Sequence, residues 1–379
     1  MLLQNAPKAA RSGGRPARVT ISDVAEALGI AKGTVSRALN GYPDISESTR
    51  LRVARMAERM GYAPLAHAQA IRTGRMRALG IVLQIGEHDA QRPFLAEFLA
   101  GLTAAASAES WTLTVATAPT EEGTLSTMRR LIDERKADGF ILPRTKTDDP
   151  RIRLLRDLDV PFVLWGRTGD PTGCAWFDIL GEDAMGEAVM RLHDFGHRRI
   201  GYVCGGSEFN YSALRHDGYR SALAALGLGY DPAIVGGGAM TPEAGAVEGR
   251  RLLRAEHPPT AIICATDMGA LGVYQALGEA GLAVGRDVSV IAYDGIPEGA
   301  YAAPPLTTFE VDSREAGSRL ARLLIRRIRG EMPEELRETA HARLRVRASD
   351  GPPAMTSDDL RERLSRAMTT ICTSKGGQR

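Results

Sequence analysis

The 379-residue sequence sets 48 Lys and Arg against 46 Asp and Glu, a formal net charge of +2, and 44% of it is apolar. That length supports two or three domains with cores of their own. No apolar run approaches the ~18 residues of a membrane span, and Cys174, Cys204, Cys264 and Cys372 are too scattered for a disulfide framework or a metal cluster. The charge is unevenly placed. Residues 1–77 hold 13 Lys and Arg against 5 Asp and Glu, while the remainder holds 35 against 41. A basic head on a mildly acidic body suits phosphate contact by the head alone.

Residues 1–18 (MLLQNAPKAARSGGRPAR) lack the apolar stretch of a signal peptide and read as a flexible basic arm, so a cytoplasmic location is expected. Val19–Gly41 then reads as two short helices joined by a turn. Ile21, Val24, Ala25 and Leu28 make one apolar helical face, and Gly29 interrupts it where a turn is needed. Val35, Ala38 and Leu39 mark the inner face of a second helix, which turns Gly33, Arg37 and Asn40 away from the core, flanked by Thr34 and Ser36. A short helix of this kind fits the DNA major groove. Ser46 is placed to cap a third helix, Glu47–Met60, with Val53, Met56, Ala57 and Met60 inward and Gly61 at its end. The head domain is thus expected over 19–63.

Residues 64–77 (PLAHAQAIRTGRMR) form a linker. Pro64 can open a helix, but two turns are marginal in water, so order is expected only when DNA or a partner chain holds the segment. From Leu79 the texture changes. Short apolar strands are expected at Leu79–Gln84, Thr112–Thr117, Gly139–Pro143, Phe162–Trp165, Arg199–Cys204, Ala261–Cys264 and Val288–Ala292. Helices such as Phe94–Ser110, Gly181–Phe195, Ser212–Leu226 and Asp267–Ala280 alternate with them. This alternation indicates parallel sheets covered on both faces, divided here between two lobes. Ligands in such folds sit beyond the carboxyl ends of the strands, here in the cleft between lobes. In the tail, 350–379, Leu360, Leu364 and Ile371 stand at heptad-like spacing, which suits either a frayed terminal helix or a short oligomerisation helix.

Several chemical signals fail. His193 and His197 have metal-compatible spacing, but Gly196 breaks the helix between them. Neither a GxGxxG fingerprint, a P-loop nor a GxSxG elbow is present, and no Ser or Cys with His and Asp stands out. No catalytic residue, metal ligand or cofactor is therefore expected. A sugar-binding transport component would account for the body alone, but not for the head.

Specific runs now carry a resemblance. TISDVAEALGIAKGTVSRALNG, ISESTRLRVARMAERMGYAP and AIRTGRMRALGIVL resemble the head and hinge of the LacI/GalR family of bacterial transcription regulators. DFGHRRIGYVCG, RHDGYRSAL, ATDMGALGV, DVSVIAYDG and PPLTTFEVD resemble its core, so the likeness covers roughly 19–348. It implies a three-helix helix-turn-helix head, a short hinge helix and a two-lobed α/β core like a periplasmic binding protein. The first lobe would take about 78–177 and 309–332, the second about 178–308 and 333–349, with crossovers near Asp178, Phe309 and 333–340. It implies a repressor that binds a pseudo-palindromic operator as a homodimer or higher oligomer, controlled by a small molecule and not by a membrane.

Residue by residue, the resemblance gives base contacts to Lys32, Gly33 and Arg37 and phosphate contacts to Thr20, Thr34, Ser36 and Asn40. Ala31 stands where the family usually has a capping Ser, and Gly33 where it often has a base-reading side chain. Ala68 matches the small residue at which paired hinge helices approach, and Ile71 stands in place of a leucine that wedges into the minor groove. In the core, Arg215 and Asp294 match effector contacts, although an interlobe salt bridge would also explain them. Thr266 and Asp267 follow, with a helix cap as the alternative for Asp267. Trp165 is either a stacking platform or core packing, and Arg167 stands where the family often has an acidic contact. Trp, Arg and Asp together suit a sugar or glycoside effector, with a nucleobase co-repressor as the alternative.

Overall fold

A computed structural model describes residues 19–62, 75–85 and 95–376. The basic arm, most of the hinge segment and with it Ala68 and Ile71 lie outside the described residues. The chain divides into two compact units, broken between Met76 and Arg77.

The first unit is a three-helix head. Helix α1 (Ile21–Leu28) opens on a reciprocal cap: Asp23 N–H donates to Thr20 Oγ1 at 3.4 Å, and Thr20 N–H donates back to Asp23 Oδ2 at 2.6 Å. It closes at Gly29, whose φ of 64° is the left-handed conformation glycine adopts without strain. Helix α2 (Lys32–Leu39) begins at Ala31 with no side-chain cap, as its sequence requires. Helix α3 (Glu47–Met60) is capped by Ser46 Oγ, which accepts from Thr49 N–H at 3.3 Å. Val24, Ala25, Val35, Ala38 and Val53 form the small buried core.

The second unit carries two six-stranded sheets. The first contains β1 (Ala78–Gln84), β2 (Thr112–Ala118), β3 (Gly139–Leu142), β4 (Phe162–Trp165) and β5 (Ala175–Ile179). Helices α4 (Leu95–Ala108), α5 (Glu121–Asp133) and α6 (Pro150–Asp157) lie between these strands in sequence. The second contains β6 (Ile200–Val203), β7 (Val235–Gly236), β8 (Ala261–Cys264), β9 (Ser289–Asp294) and β10 (Thr307–Glu310). Its helices are α7 (Gly181–Asp194), α8 (Asn210–Ala225), α9 (Pro242–Leu253), α10 (Asp267–Glu279) and the short α11 (Pro297–Tyr301). Helix α12 (Ser313–Ile328) returns to the first lobe, where Leu320, Leu324 and Ile328 join Leu79 and Val163 in one core. Gly101 of α4 and Gly317 of α12 let these helices touch, since a Cβ on either would run into the other's backbone.

The strand order is β11-β5-β4-β3-β1-β2 in the first sheet and β12-β10-β9-β8-β6-β7 in the second, with β11 at Arg337–Ala340 and β12 at Arg343–Arg345. Every pairing is parallel except β10 with β12. These pairings move two of the expected lobe boundaries. Phe309, placed with the first lobe by the resemblance, lies in β10 opposite Tyr293 and is fully buried in the second. The chain crosses just after Glu310, one residue beyond the expected vicinity of Phe309. Residues 337–340, placed with the second lobe, pair in parallel with Trp176–Ile179 and extend the first sheet. The last crossover therefore falls between Ala340 and Arg343.

The tail also differs from its expectation. Helix α13 (Ser357–Gly376) starts at a Thr356–Asp359 cap, and Leu360 is fully buried against the second lobe beside Val288 and Val290. The Asp350 side chain is shielded too, bonded to Arg191 and Thr307. Residues 350–364 are an integral part of that lobe, because the first of the heptad-like leucines faces inward.

Candidate DNA-reading helix and effector cleft

On α2, Lys32, Gly33 and Arg37 are exposed, and Thr34, Ser36 and Asn40 are half-buried. A Cβ added at Gly33 would meet nothing within 4 Å, so this part of the surface is backbone alone. The Arg37 guanidinium pairs with Asp44 and lies 5.7 Å from the Tyr42 ring centroid. Asn40 Nδ2 donates to Ser36 O at 2.5 Å, and Thr20 is occupied in the α1 cap. Two of the expected phosphate ligands thus already hold helix ends together.

The cleft in the body lies where sheet geometry puts it. Leu83 of β1, Pro143 and Arg144 after β3, Trp165 of β4, Asp178 of β5, Thr266 after β8 and Asp294 of β9 line it from the carboxyl ends of their strands. Trp165 stacks on Phe98 with ring centroids 4.2 Å apart and planes at 22°, forming an aromatic wall. Facing groups come from the second lobe. Arg215, on α8, sits 3.6 Å from the Tyr293 ring centroid and 4.6 Å from that of Tyr211. Its Nη1 donates to Ala265 O at 2.6 Å and lies 3.9 Å from Asp294 Oδ1. Gly181 makes room for this arginine, because a Cβ there would fall 2.9 Å from Arg215 Cγ and Nε.

Asp294 has φ 130°, a conformation rare outside glycine, and this turns its carboxyl into the cleft. Burial raises its pKa well above the usual carboxylate range, opposed by the Arg215 charge. Asp178 is likewise raised by burial, against the pull of Arg167.

The expected effector residues do not all meet here. Trp165, Arg215, Thr266 and Asp294 line the cleft; Arg167 and Asp267 do not. Asp267 is fully buried, and its carboxylate accepts from Gly295 N–H and Ile296 N–H at 2.8 Å each and from Thr308 Oγ1 at 2.5 Å. It stitches α10 to the turn after β9, so the expected ligand contact is corrected to a structural one. Arg167 turns to Asp178 and, at 2.5 Å, to Glu182, joining the two lobes beside the cleft. Thr266 caps α10, its Oγ1 accepting from Gly269 N–H at 3.1 Å.

Phe98, Arg144, Tyr211, Met240 and Tyr293 line the cleft without having been anticipated. Arg144 was legible as the residue just beyond a strand's carboxyl end, and Tyr293 as the neighbour of Asp294. His197 is a buried pin. Its Nδ1 meets Thr260 Oγ1 at 2.8 Å and its Nε2 meets Gly351 O at 2.9 Å. No cluster of three metal-ligating side chains occurs among the described residues, and no described helix is long and apolar enough to cross a membrane.

The HTH-type transcriptional regulator AglR of Rhizobium meliloti (strain 1021) is 38% identical over 343 residues, covering 88% of this chain and 95% of its own. The chain belongs to the lacI family. Residues 20–64 match the family model described as bacterial regulatory proteins, lacI family, and residues 189–349 match a periplasmic binding protein-like domain. As a member of the lacI family it is a DNA-binding transcriptional regulator with a helix-turn-helix head and a two-sheet parallel α/β core. The HTH-type transcriptional regulator CelR of Thermobifida fusca is 32% identical over 352 residues, covering 88% of this chain and 99% of its own. A solved CelR–cellobiose complex superimposes with a TM-score of 0.67 at 30% identity, covering 88% of this chain and all of that one.

Proposed function

We propose that this lacI-family chain is a sugar-responsive repressor that acts in the cytoplasm as a dimer on a pseudo-palindromic operator. The head, 19–63, reads DNA through Lys32, Gly33 and Arg37, steadied by backbone contacts from Thr20, Thr34, Ser36 and Asn40. The segment 64–77 serves as the hinge, with Ala68 where the paired hinge helices approach and Ile71 at the minor groove. The observation that carries the effector class is the Trp165–Phe98 wall facing the Arg215 and Asp294 pair across one cleft. An aromatic face packs on the C–H face of a pyranose, while a guanidinium and a carboxylate supply donors and acceptors to its hydroxyls. The cellobiose held by the CelR relative agrees with this reading. An effector acts only through its different affinities for the operator-competent and released states.

The test is a thermal-shift screen of saccharides and nucleobases, followed by gel shift on operator DNA with the hits. A saccharide should raise Tm and change operator affinity, and Arg215→Ala should bind operator but lose the response. Stabilisation by nucleobases alone, or an unaltered response in Arg215→Ala, would overturn the reading.

A further inference from the structure

The cleft is not one chamber. Leu83, Pro143, Arg144 and Met240 border both the aromatic-walled compartment and a second one, which reaches Gln84, Glu121, Lys146 and Glu208. The two differ in chemistry. The first has Trp165 on one side and, on the other, the buried Arg215 guanidinium lying against the Tyr293 ring, with Arg215 Nε and Tyr293 Oη left for each other and for a ligand hydroxyl. Buried polar atoms call for such partners. The second is lined by carboxylates, an ammonium and an amide. Lys146 is paired with Glu121 and Arg151 with the buried Asp149, and Glu208 adds a further negative charge beside Arg144, a balance that disfavours a phosphorylated ligand.

Arg144 stands at the junction, and the turn that puts it there is built for the purpose. Its φ of 51° is left-handed, a conformation that a non-glycine residue adopts only where its surroundings hold it. Arg151 holds that turn from behind, donating Nη2 to Pro143 O at 3.0 Å, Arg144 O at 3.2 Å and Asp149 Oδ2 at 2.7 Å. Across the cleft the Arg144 guanidinium lies 5.6 Å from the ring of Phe209 in the opposite lobe.

We infer that the effector is a neutral two-ring saccharide, with one pyranose against Trp165, the second among Glu121, Lys146 and Glu208, and Arg144 at the linkage as the residue that selects for length. This rests on the saccharide reading above. A monosaccharide would fill the first compartment and leave the second to water.

Isothermal titration of the full-length protein with glucose, galactose, glucose 6-phosphate, cellobiose, maltose and melibiose tests it. At least one disaccharide should bind ten-fold or more tightly than its constituent monosaccharides. Arg144→Ala and the milder Glu121→Gln should each lower that disaccharide-to-monosaccharide ratio at least three-fold, whereas Trp165→Ala should weaken both classes together. Glu121→Gln, at a half-buried helix start, keeps the test open should Arg144→Ala fail to fold. Equal affinity for one and two rings, tighter glucose 6-phosphate, or a ratio that neither variant moves would overturn the inference while leaving a sugar effector standing. No heat from any saccharide, with binding of a nucleobase instead, would overturn the saccharide reading itself.

Discussion

Arg37 and Asp267 show how one side chain's partners decide what its loss does. The Arg37 guanidinium is exposed and, among the described residues, held by Asp44 and the Tyr42 face, a surface arrangement it can exchange for a guanine edge. A bidentate arginine–guanine contact is worth about 1–3 kcal/mol of discrimination. Arg37→Ala should therefore weaken operator binding by roughly 5- to 150-fold while random DNA, bound through the remaining basic surface, loses far less. Titrating both DNAs at one salt concentration checks this, and equal losses would refute a base-reading role. Asp267 is the opposite case. Removing its carboxylate strands two backbone N–H groups and the Thr308 hydroxyl in a dry interior. Asp267→Ala should cost about 2–4 kcal/mol in chemical denaturation, since a buried donor left unpaired carries most of its desolvation penalty. A near-wild-type midpoint would mean that the turn after β9 is held by something else.

At the scale of elements, α13 depends on a charge cluster that acid should dismantle. Asp287 bonds Arg286, accepts from Ala283 N–H at 2.8 Å and meets Arg363 of α13 at 3.1 Å. The Arg286 hydrogen bond, then the Ala283 N–H and the Arg363 charge, pull its pKa from 3.8 to about 2 against the burial that raises it. The folded value is depressed, so the ionised group stabilises the fold above the unfolded value. That contribution is lost as pH falls from about 4 to 2. Protection factors of the α13 amides, taken relative to intrinsic exchange at each pH, should fall across that window in the wild type, whereas Asp287→Asn should show the lower protection already at pH 7. The same comparison of charge, pattern and packing sets what was legible. Strands such as β1, β4 and β8 announced themselves as continuous apolar runs. β10 did not, because it reads TTFE, yet Thr307 and Thr308 are fully buried, with Asp350 and Asp267 satisfying their hydroxyls. β11, a polar edge strand reading RETA, gave no signal either, and its misplacement shifted the last crossover. In the cleft, Arg215 and Asp294 were legible from motif. For Asp267 the sequence left a structural role open beside ligand contact, and for it as for Arg167 only three-dimensional neighbours reveal that the charge already has protein partners.

At the scale of the whole body, the lobes meet beside the cleft through backbone as well as through side chains. Asn210 N–H, on the second lobe, donates to Thr145 O of the first at 3.0 Å, and Lys146 and Phe209 form an antiparallel bridge next to it. Such a clasp favours the closed arrangement that an effector touching both lobes also prefers. Asn210 is the first residue of α8, where proline is tolerated because that N–H has no partner within the helix. Phe209, with ψ 135°, already has the extended backbone that a following proline requires. Asn210→Pro should thus delete this one interlobe hydrogen bond and leave α8 intact. A net hydrogen bond of about 1 kcal/mol shifts the closed-to-open ratio by roughly five-fold. Effector dissociation should accelerate by up to about that factor, and X-ray scattering should record a larger radius of gyration for the free core, restored by saturating effector. Asn210→Ala, which keeps the N–H, separates out the buried side chain. If it matches the proline variant in both measurements, the side chain and not the clasp governs closure.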